Sequence, residues 1–224
     1  VLTINDPRDK SHRHEFRGGL PLKVMDPENK SQVFVWNYQK RNLIRHREFR
    51  GGFEYKTQYN GYDDYGLFSE KVVSGKRGVT KTFVYEYERS EPYIENNIVD
   101  KVTRTWLDAD GKRYNDTTNQ YDGLGKGMLV SQIIENGDGT QERWAYNHDN
   151  YGNVVKRTND RGLIEEWNYD SNGVHWLSKS INSINNRELA SITSRKFYEN
   201  SALVSSETNE ANIQNTYTYD DRGR

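Results

Sequence analysis

The chain has 224 residues, a net charge of −1, 33% hydrophobic and 12% aromatic residues, among them 16 Tyr and 5 Trp, and no Cys. Balanced charge argues against a dedicated nucleic-acid surface, which needs a basic excess, and the missing thiols exclude disulfides, thiolate metal sites and a cysteine nucleophile. So little aliphatic content approaches the disordered range, yet slight self-repulsion and many aromatics, which bury area while keeping a polar edge wet, indicate a folded chain with a thin or divided core.

At the amino end, VLTINDPRDK lacks the basic and apolar regions of a signal peptide and an initiator Met. With a turn signal at the other end, the sequence reads as a piece of a longer protein. No apolar run reaches the roughly 20 residues that cross a bilayer, so no membrane segment is expected. His12 and His14 stand two apart, on one face of a strand; the arrangement suits a metal pair, though solvated surface histidines explain it more simply. The phrase EFRGG occurs at Glu15–Gly19 and again at Glu48–Gly52. It reads as a divergent turn with Glu in place of Asp, or as an anion-binding turn using Arg17 or Arg50.

Strands follow by period-two alternation. VFVWNY sets Phe34, Trp36 and Tyr38 against Val33, Val35 and Asn37, and TFVYEY sets Phe83, Tyr85 and Tyr87 against Thr82, Val84 and Glu86. Further on, ERWAY puts Trp144 with Tyr146, EEWNY puts Trp167 with Tyr169, and TYTY puts Tyr217 with Tyr219. Each strand has an aromatic face and a more polar one. Trp36, Tyr85, Trp144, Tyr146, Trp167 and Tyr169 are expected to share a side of the sheet and supply much of its core.

Between strands, Asp or Asn stands three residues before Gly at Asp63, Asp108, Asp122, Asn136, Asp149, Asn159, Asp170 and Asp220. In a type I turn the first residue bonds the backbone ahead and glycine suits the fourth. Each gap from 108 to 170 leaves room for a short strand, which is a β-meander. The tyrosines at 38, 62, 87, 121, 146, 169 and 219 mostly recur at intervals of 23–25 residues, about two strands and two turns per repeat. Regularity lapses from 175 to 216, where Tyr198-Glu199 has no following glycine and INSINNREL (181–189) reads as a surface insertion with a helical turn near Arg187–Ala190. The division expected is 1–120, divergent repeats, and 121–224, clearer repeats with that insertion, without a firm boundary.

The phrase aromatic-x-Tyr-Asp-x-x-Gly resembles the YD repeat of the RHS family. Residues 121–173 match best, through Tyr121, Asp122 and Gly125, then Trp144, Tyr146, Asp149 and Gly152, then Trp167, Tyr169, Asp170 and Gly173. Tyr219, Asp220 and Gly223 are a further match, and weaker copies reach back to about residue 26. The resemblance implies an all-β fold: a segment of a long sheet that spirals into a hollow shell. Such shells enclose toxic cargo in bacterial RHS and Tc-type toxins, and a similar barrel serves adhesion in teneurins. It also implies that the matching Tyr, Asp and Gly are structural, that the partners are the remaining repeats and a toxin or effector, and that the protein is secreted or at the cell surface. This segment is too short to enclose a protein by itself.

Chemistry is sparse. No HExxH or GxxxxGK[ST] motif occurs, and GLGKG (123–127) follows Tyr121-Asp122 and reads as a turn. The acidic pairs Asp63-Asp64 and Asp220-Asp221 offer Ca²⁺ ligands without EF-hand spacing. The family's autoproteolytic plug motif is missing from these residues, so no catalytic residue, cofactor or metal is assigned and no enzymatic activity is expected. The leading function is wall of a cargo-enclosing shell, the next a surface module binding carbohydrate or a partner protein, and the last a hydrolase using carboxylates that no motif marks. An open run of repeats is expected to self-associate weakly through its sheet edges.

Overall fold

The computed structural model describes residues 1–5, 11–28, 30–75, 78–183, 191–198, 201–220 and 222–224. The fold is all-β, and every pairing between described strands is antiparallel. The chain divides into two compact units.

The first unit comprises Val1–Thr118 with Glu135–Thr140. Its strands are β1 (Leu2–Asn5), β2 (Ser11–Arg17), β3 (Leu20–Met25), β4 (Ser31–Asn37), β5 (Asn42–Arg50), β6 (Phe53–Tyr62), β7 (Phe68–Ser74), β8 (Thr80–Tyr87), β9 (Val102–Ala109) and β10 (Lys112–Tyr121), the last running on into the second unit. Each pairs with its chain neighbour, in registers such as Arg47↔Lys56 and Val84↔Trp106. A short helix, α1 (Glu91–Glu95), stands between β8 and β9.

The second unit, Asn119–Ile134 with Gln141–Arg224, contains most of β11 (Leu129–Glu135), then β12 (Gln141–His148), β13 (Val154–Asn159), β14 (Leu163–Tyr169), β15 (Trp176–Ser183), β16 (Ser191–Phe197), β17 (Val204–Thr208) and β18 (Gln214–Thr216). From β12 onward, consecutive strands pair in order.

Two turn chemistries produce this meander. Tight two-residue turns join β2 to β3, β5 to β6 and β9 to β10, at Gly18-Gly19, Gly51-Gly52 and Asp110-Gly111, with φ of 56° and 77°, 57° and 75°, and 51° and 73°. Positive φ at both central residues is the type I′ geometry that follows strand twist, and it selects Gly-Gly and Asp-Gly. Three expected turn positions are thereby corrected. Glu15, Glu48 and Asp108 lie inside β2, β5 and β9, and their acid-x-x-Gly spacing merely overlaps a shorter turn. Many of the other hairpins use the longer Asp/Asn turn described below, while β7 to β8 closes from the Gly78 amide to the Gly75 carbonyl and β16 to β17 from the Ser201 amide to the Tyr198 carbonyl, both at 3.2 Å.

The stretch 175–216 also departs from expectation, because β15–β18 carry the meander through it. The expected helical turn near Arg187–Ala190 lies outside the described residues. One turn was missed because its glycine is replaced. Asn209 receives the Asn212 amide on its carbonyl at 2.9 Å, and Asn212 takes the left-handed conformation (φ 60°) usually left to Gly. Asn tolerates that region better than other side-chain-bearing residues.

The core is thinner than the aromatic rows suggested. Among the described residues, the buried apolar side chains are Leu20 and Tyr93. Tyr93 is carried by α1, whose start Ser90-Glu91-Pro92 puts a cap residue and an early proline where a helix accepts them. At 2% exposure Tyr93 is the most enclosed large side chain described. Tyr93→Ala should therefore cost about 3–5 kcal/mol, as large aromatic truncations do. Leu124→Ala, at a residue 68% exposed, should stay within about 0.5 kcal/mol. Urea unfolding of both variants checks the contrast.

Candidate functional site

The repeated phrase assembles into a compact structural device. In the turn after β12, the Gly152 amide donates to the Asp149 carbonyl at 3.2 Å, and the Asp149 amide donates to the Asn153 carbonyl at 3.0 Å. Asp149 Oδ1 then accepts the amides of Tyr151 and Asn153, both at 2.9 Å. Gly152 sits at φ 88°, the left-handed residue that completes a type I turn with a bulge. Asp63, Asn159 and Asp220 repeat this geometry, each side-chain oxygen accepting amides two and four residues ahead. Asp170 accepts the amides of Val174 and His175, with Gly173 at φ 68°. Gly223 closes the Asp220 turn at 2.8 Å. In the Asn136 turn it is Asp138 Oδ1 that receives the Thr140 amide.

The tyrosine before the acid is a latch between strands. Tyr62 donates its hydroxyl to the Leu43 carbonyl (2.6 Å) and Tyr87 to that of Phe68 (3.0 Å). Tyr169 does so to Val154 (3.3 Å) and Tyr219 to Val204 (3.1 Å). Every acceptor lies at or beside the start of the preceding strand, so the latch ties the open end of one hairpin to the turn that follows it. Tyr146 instead reaches the Gln132 side chain at 3.4 Å, and Trp36 donates its indole N–H to the Pro21 carbonyl at 2.7 Å. Burial pushes up the hydroxyls of Tyr62, Tyr87, Tyr146 and Tyr169, keeping them protonated donors. Tyr121 ends β10, directly before Asp122.

Trp144, Tyr146, Trp167 and Tyr169 share one face of the second unit, since Tyr146 pairs with Arg157, Arg157 with Glu165, and Trp167 with Lys179. Their rings do not form the expected apolar core. The Arg157 guanidinium lies 4.5 Å from the Trp144 ring and 5.8 Å from that of Trp167, and Lys179 lies 5.3 Å from Trp167. Glu165, only 4% exposed, is held by Arg157 and by Lys179 at 2.9 Å. Burial pushes the Glu165 carboxyl up, but the two cations outweigh it and hold it below the ordinary range. Arg195 repeats the arrangement over Trp176 (4.0 Å) with Glu207 (2.9 Å). In the first unit, Arg104 lies over Trp106 (5.1 Å) and grips Asp116 with two bonds, 2.9 and 2.7 Å. This triad of ring, guanidinium and acid is not legible in the sequence without the register, and its one signal is Arg opposite Glu across strands, as in Arg157 with Glu165 and Arg195 with Glu207.

The chemical candidates dissolve into these roles. GLGKG wraps its own acid: Asp122 accepts the amides of Leu124 (3.1 Å), Lys126 (3.0 Å) and Met128 (2.8 Å), leaving no phosphate cradle. Asp63 is engaged by two turn amides and by Arg89 at 2.5 Å, and Asp64 faces Lys40 at 3.7 Å, so that pair suits no Ca²⁺; Asp221 lies outside the described residues. His14 stacks on Phe16 at 6.2 Å, and no cluster of three metal-ligating side chains occurs among the described residues. Arg50 lies over Tyr55 (4.5 Å) and Arg17 over Tyr38 (5.0 Å) rather than framing an anion turn.

No family model matches the chain, and no curated protein does. Among solved structures it is similar to TcdB2-TccC3-Cdc42, with 12% identity and a TM-score of 0.57 over 100% of this chain and 13% of that one. It is also similar to TcdB2-TccC3 without its hypervariable C-terminal region, with 12% identity and a TM-score of 0.55 over 98% and 13% of the two chains. The chain thus spans about an eighth of the solved chains it matches, and the likeness is one of fold.

Two predictions follow from the site. The Val174 amide on Asp170 and the Arg224 amide on Asp220 lower those carboxyls; Asp63 and Asp149 are raised by burial but brought below the ordinary range by their turn amides. A depressed folded value means stabilisation that is complete above the unfolded carboxylate range and lost as pH falls through the folded values. The Tm should therefore hold near neutrality and drop below about pH 4, and thermal melts against pH check the direction. Glu165→Gln leaves two cations facing each other without their acid and should cost about 3 kcal/mol, the low end for such breaks because both cations reach solvent. Lys156→Gln, which loses an exposed partner of Glu166, should cost at most about 1 kcal/mol.

Proposed function

We propose that this chain is a stretch of wall in a YD-repeat shell that encloses a toxin or effector. The observation that carries the reading is the tyrosine latch followed by the Asp/Asn turn, recurring at Tyr62-Asp63, Tyr169-Asp170 and Tyr219-Asp220. A device that joins each hairpin to the next without a shared core extends to any number of repeats, as a wall requires. The fold likeness to a segment of TcdB2-TccC3 supports the same reading, as does a sheet whose residues are mostly half-exposed.

On this reading the segment has no catalysis of its own, and its partners are neighbouring repeats and an enclosed cargo in a secreted or surface assembly. Asp63, Asp149, Asp170 and Asp220 serve backbone amides, and Asp116, Glu165 and Glu207 serve guanidinium groups, which leaves these acids poorly placed as general acids or bases. Purified chain should show no turnover of glycoside or peptide substrates; turnover abolished by replacing a single carboxylate would overturn this.

Sheet edges supply the structural test. β18 is exposed along its three residues, and Ile213 and Tyr217 beside it are 57% and 37% exposed. A wall segment on its own should pair weakly through such edges, which present unbonded backbone groups. Sedimentation should show a mass that rises with concentration, and amide exchange should be faster at 205–224 than at 144–169. A strict monomer with uniform protection would contradict the shell reading.

A further inference from the structure

The chain is nearly neutral, and among the described residues most arginines are matched to acids, as in Arg89 with Asp63, Arg104 with Asp116, Arg157 with Glu165 and Arg195 with Glu207. One face of the first unit breaks that pattern. The register aligns Lys23 with Val33, Val33 with Arg47, and Arg47 with Lys56, placing all four on one side across β3–β6. Arg45, two residues from Arg47 on β5, shares that side and pairs with Val35 and Gln58. Among the described residues, Lys23, Arg45 and Lys56 make no ion pair. The Nε atoms of Arg45 and Arg47 are buried and have no hydrogen-bond partner. The acids nearby are Glu15, 3.2 Å from Arg13, and Glu54, 3.5 Å from Arg47. They leave the middle of the strip positive.

Like charges in neighbouring strand positions destabilise a sheet, and a buried guanidinium N–H without an acceptor costs more than one that is satisfied. We infer that this face is a docking strip for an acidic polypeptide segment, whose carboxylates complete Arg45, Arg47 and Lys56. Spacing and composition select this occupant. Arg45 and Arg47 are about 6.8 Å apart along the strand, which is also the spacing of alternate side chains in an extended peptide. Val33 and Val35 lie between Lys23 and the arginines and give such a peptide an apolar contact. A single-stranded nucleic acid would want an aromatic platform for each successive base, whereas one ring, Phe49, lies beside the cations, 5.8 Å from Arg47, and the other neighbours are Val33, Val35, Gln58 and Ser74. The inference stands on this face alone and does not require the shell reading.

Titration of the 224-residue chain with poly-L-glutamate at low salt, followed by calorimetry, tests it, with heparin and oligo-dT as parallel probes. Poly-L-glutamate should bind best, and Arg45→Gln with Arg47→Gln should weaken it by at least about tenfold, roughly the effect of 1.4 kcal/mol. Lys156→Gln, in the second unit, should leave binding unchanged. Circular dichroism should show the double variant folded at the titration temperature, so weakened binding cannot be ascribed to unfolding. Absence of poly-L-glutamate binding, or binding indifferent to the double substitution in folded protein, would overturn the inference. Tighter binding of heparin or oligo-dT through the same arginines would overturn the choice of occupant.

Discussion

The constraint behind this structure is that a sheet with almost no core must satisfy the backbone at its turns by local means. A hairpin loop turns amides away from the ladder, and an amide without an acceptor is costly wherever water is partly excluded. Asp149, Asn159 and Asp220 meet this with a single side-chain oxygen that accepts two amides ahead of it. The tyrosine before the acid then anchors the turn to the start of the preceding strand, as Tyr169 does at Val154. Turn and latch are adjacent in sequence because they are one mechanical unit.

With so little apolar burial, the faces contribute through many small terms. A guanidinium over an indole gives about 0.5–1 kcal/mol where it is exposed, and a favourable cross-strand pair about 0.2–1 kcal/mol. Arg157 does both at once, meeting two Trp rings and Glu165. Each such residue stiffens three strands without closing the face against water. Turns also brace one another: Tyr151 covers Gly173, where an added Cβ would meet the ring at 2.4 Å, and Asn153 donates to the Gly173 carbonyl at 2.7 Å. Gly173 is therefore required twice, by its φ and by its neighbour.

How much of this the sequence disclosed follows from how local each signal is. The Asp122, Asp149, Asn159, Asp170 and Asp220 turns were legible because donor and acceptor lie within a few residues, and Trp144 and Tyr146 declared a shared face by alternation. The tyrosine bonds were not legible, since their acceptors are carbonyls 15 or 19 residues away that carry no sequence mark. Arg157 was overlooked because its role depends on register with β12 and β14. Asn209 to Asn212 escaped a search for glycine although Asn serves the same conformation. Asp108 and Glu48 deceived for the opposite reason, as the right spacing over the wrong turn.

The central claim is that turn side chains, rather than a packed interior, hold this fold together. Amide hydrogen exchange at Asn153 and Leu163 tests it directly, because these amides lie at loop ends and donate to Asp149 and Asn159. The account predicts protection comparable to that of neighbouring ladder amides, lost at Asn153 and nearby positions in Asp149→Ala. Exchange at Asn153 and Leu163 as fast as in an unstructured peptide, with the strands still protected, would contradict it.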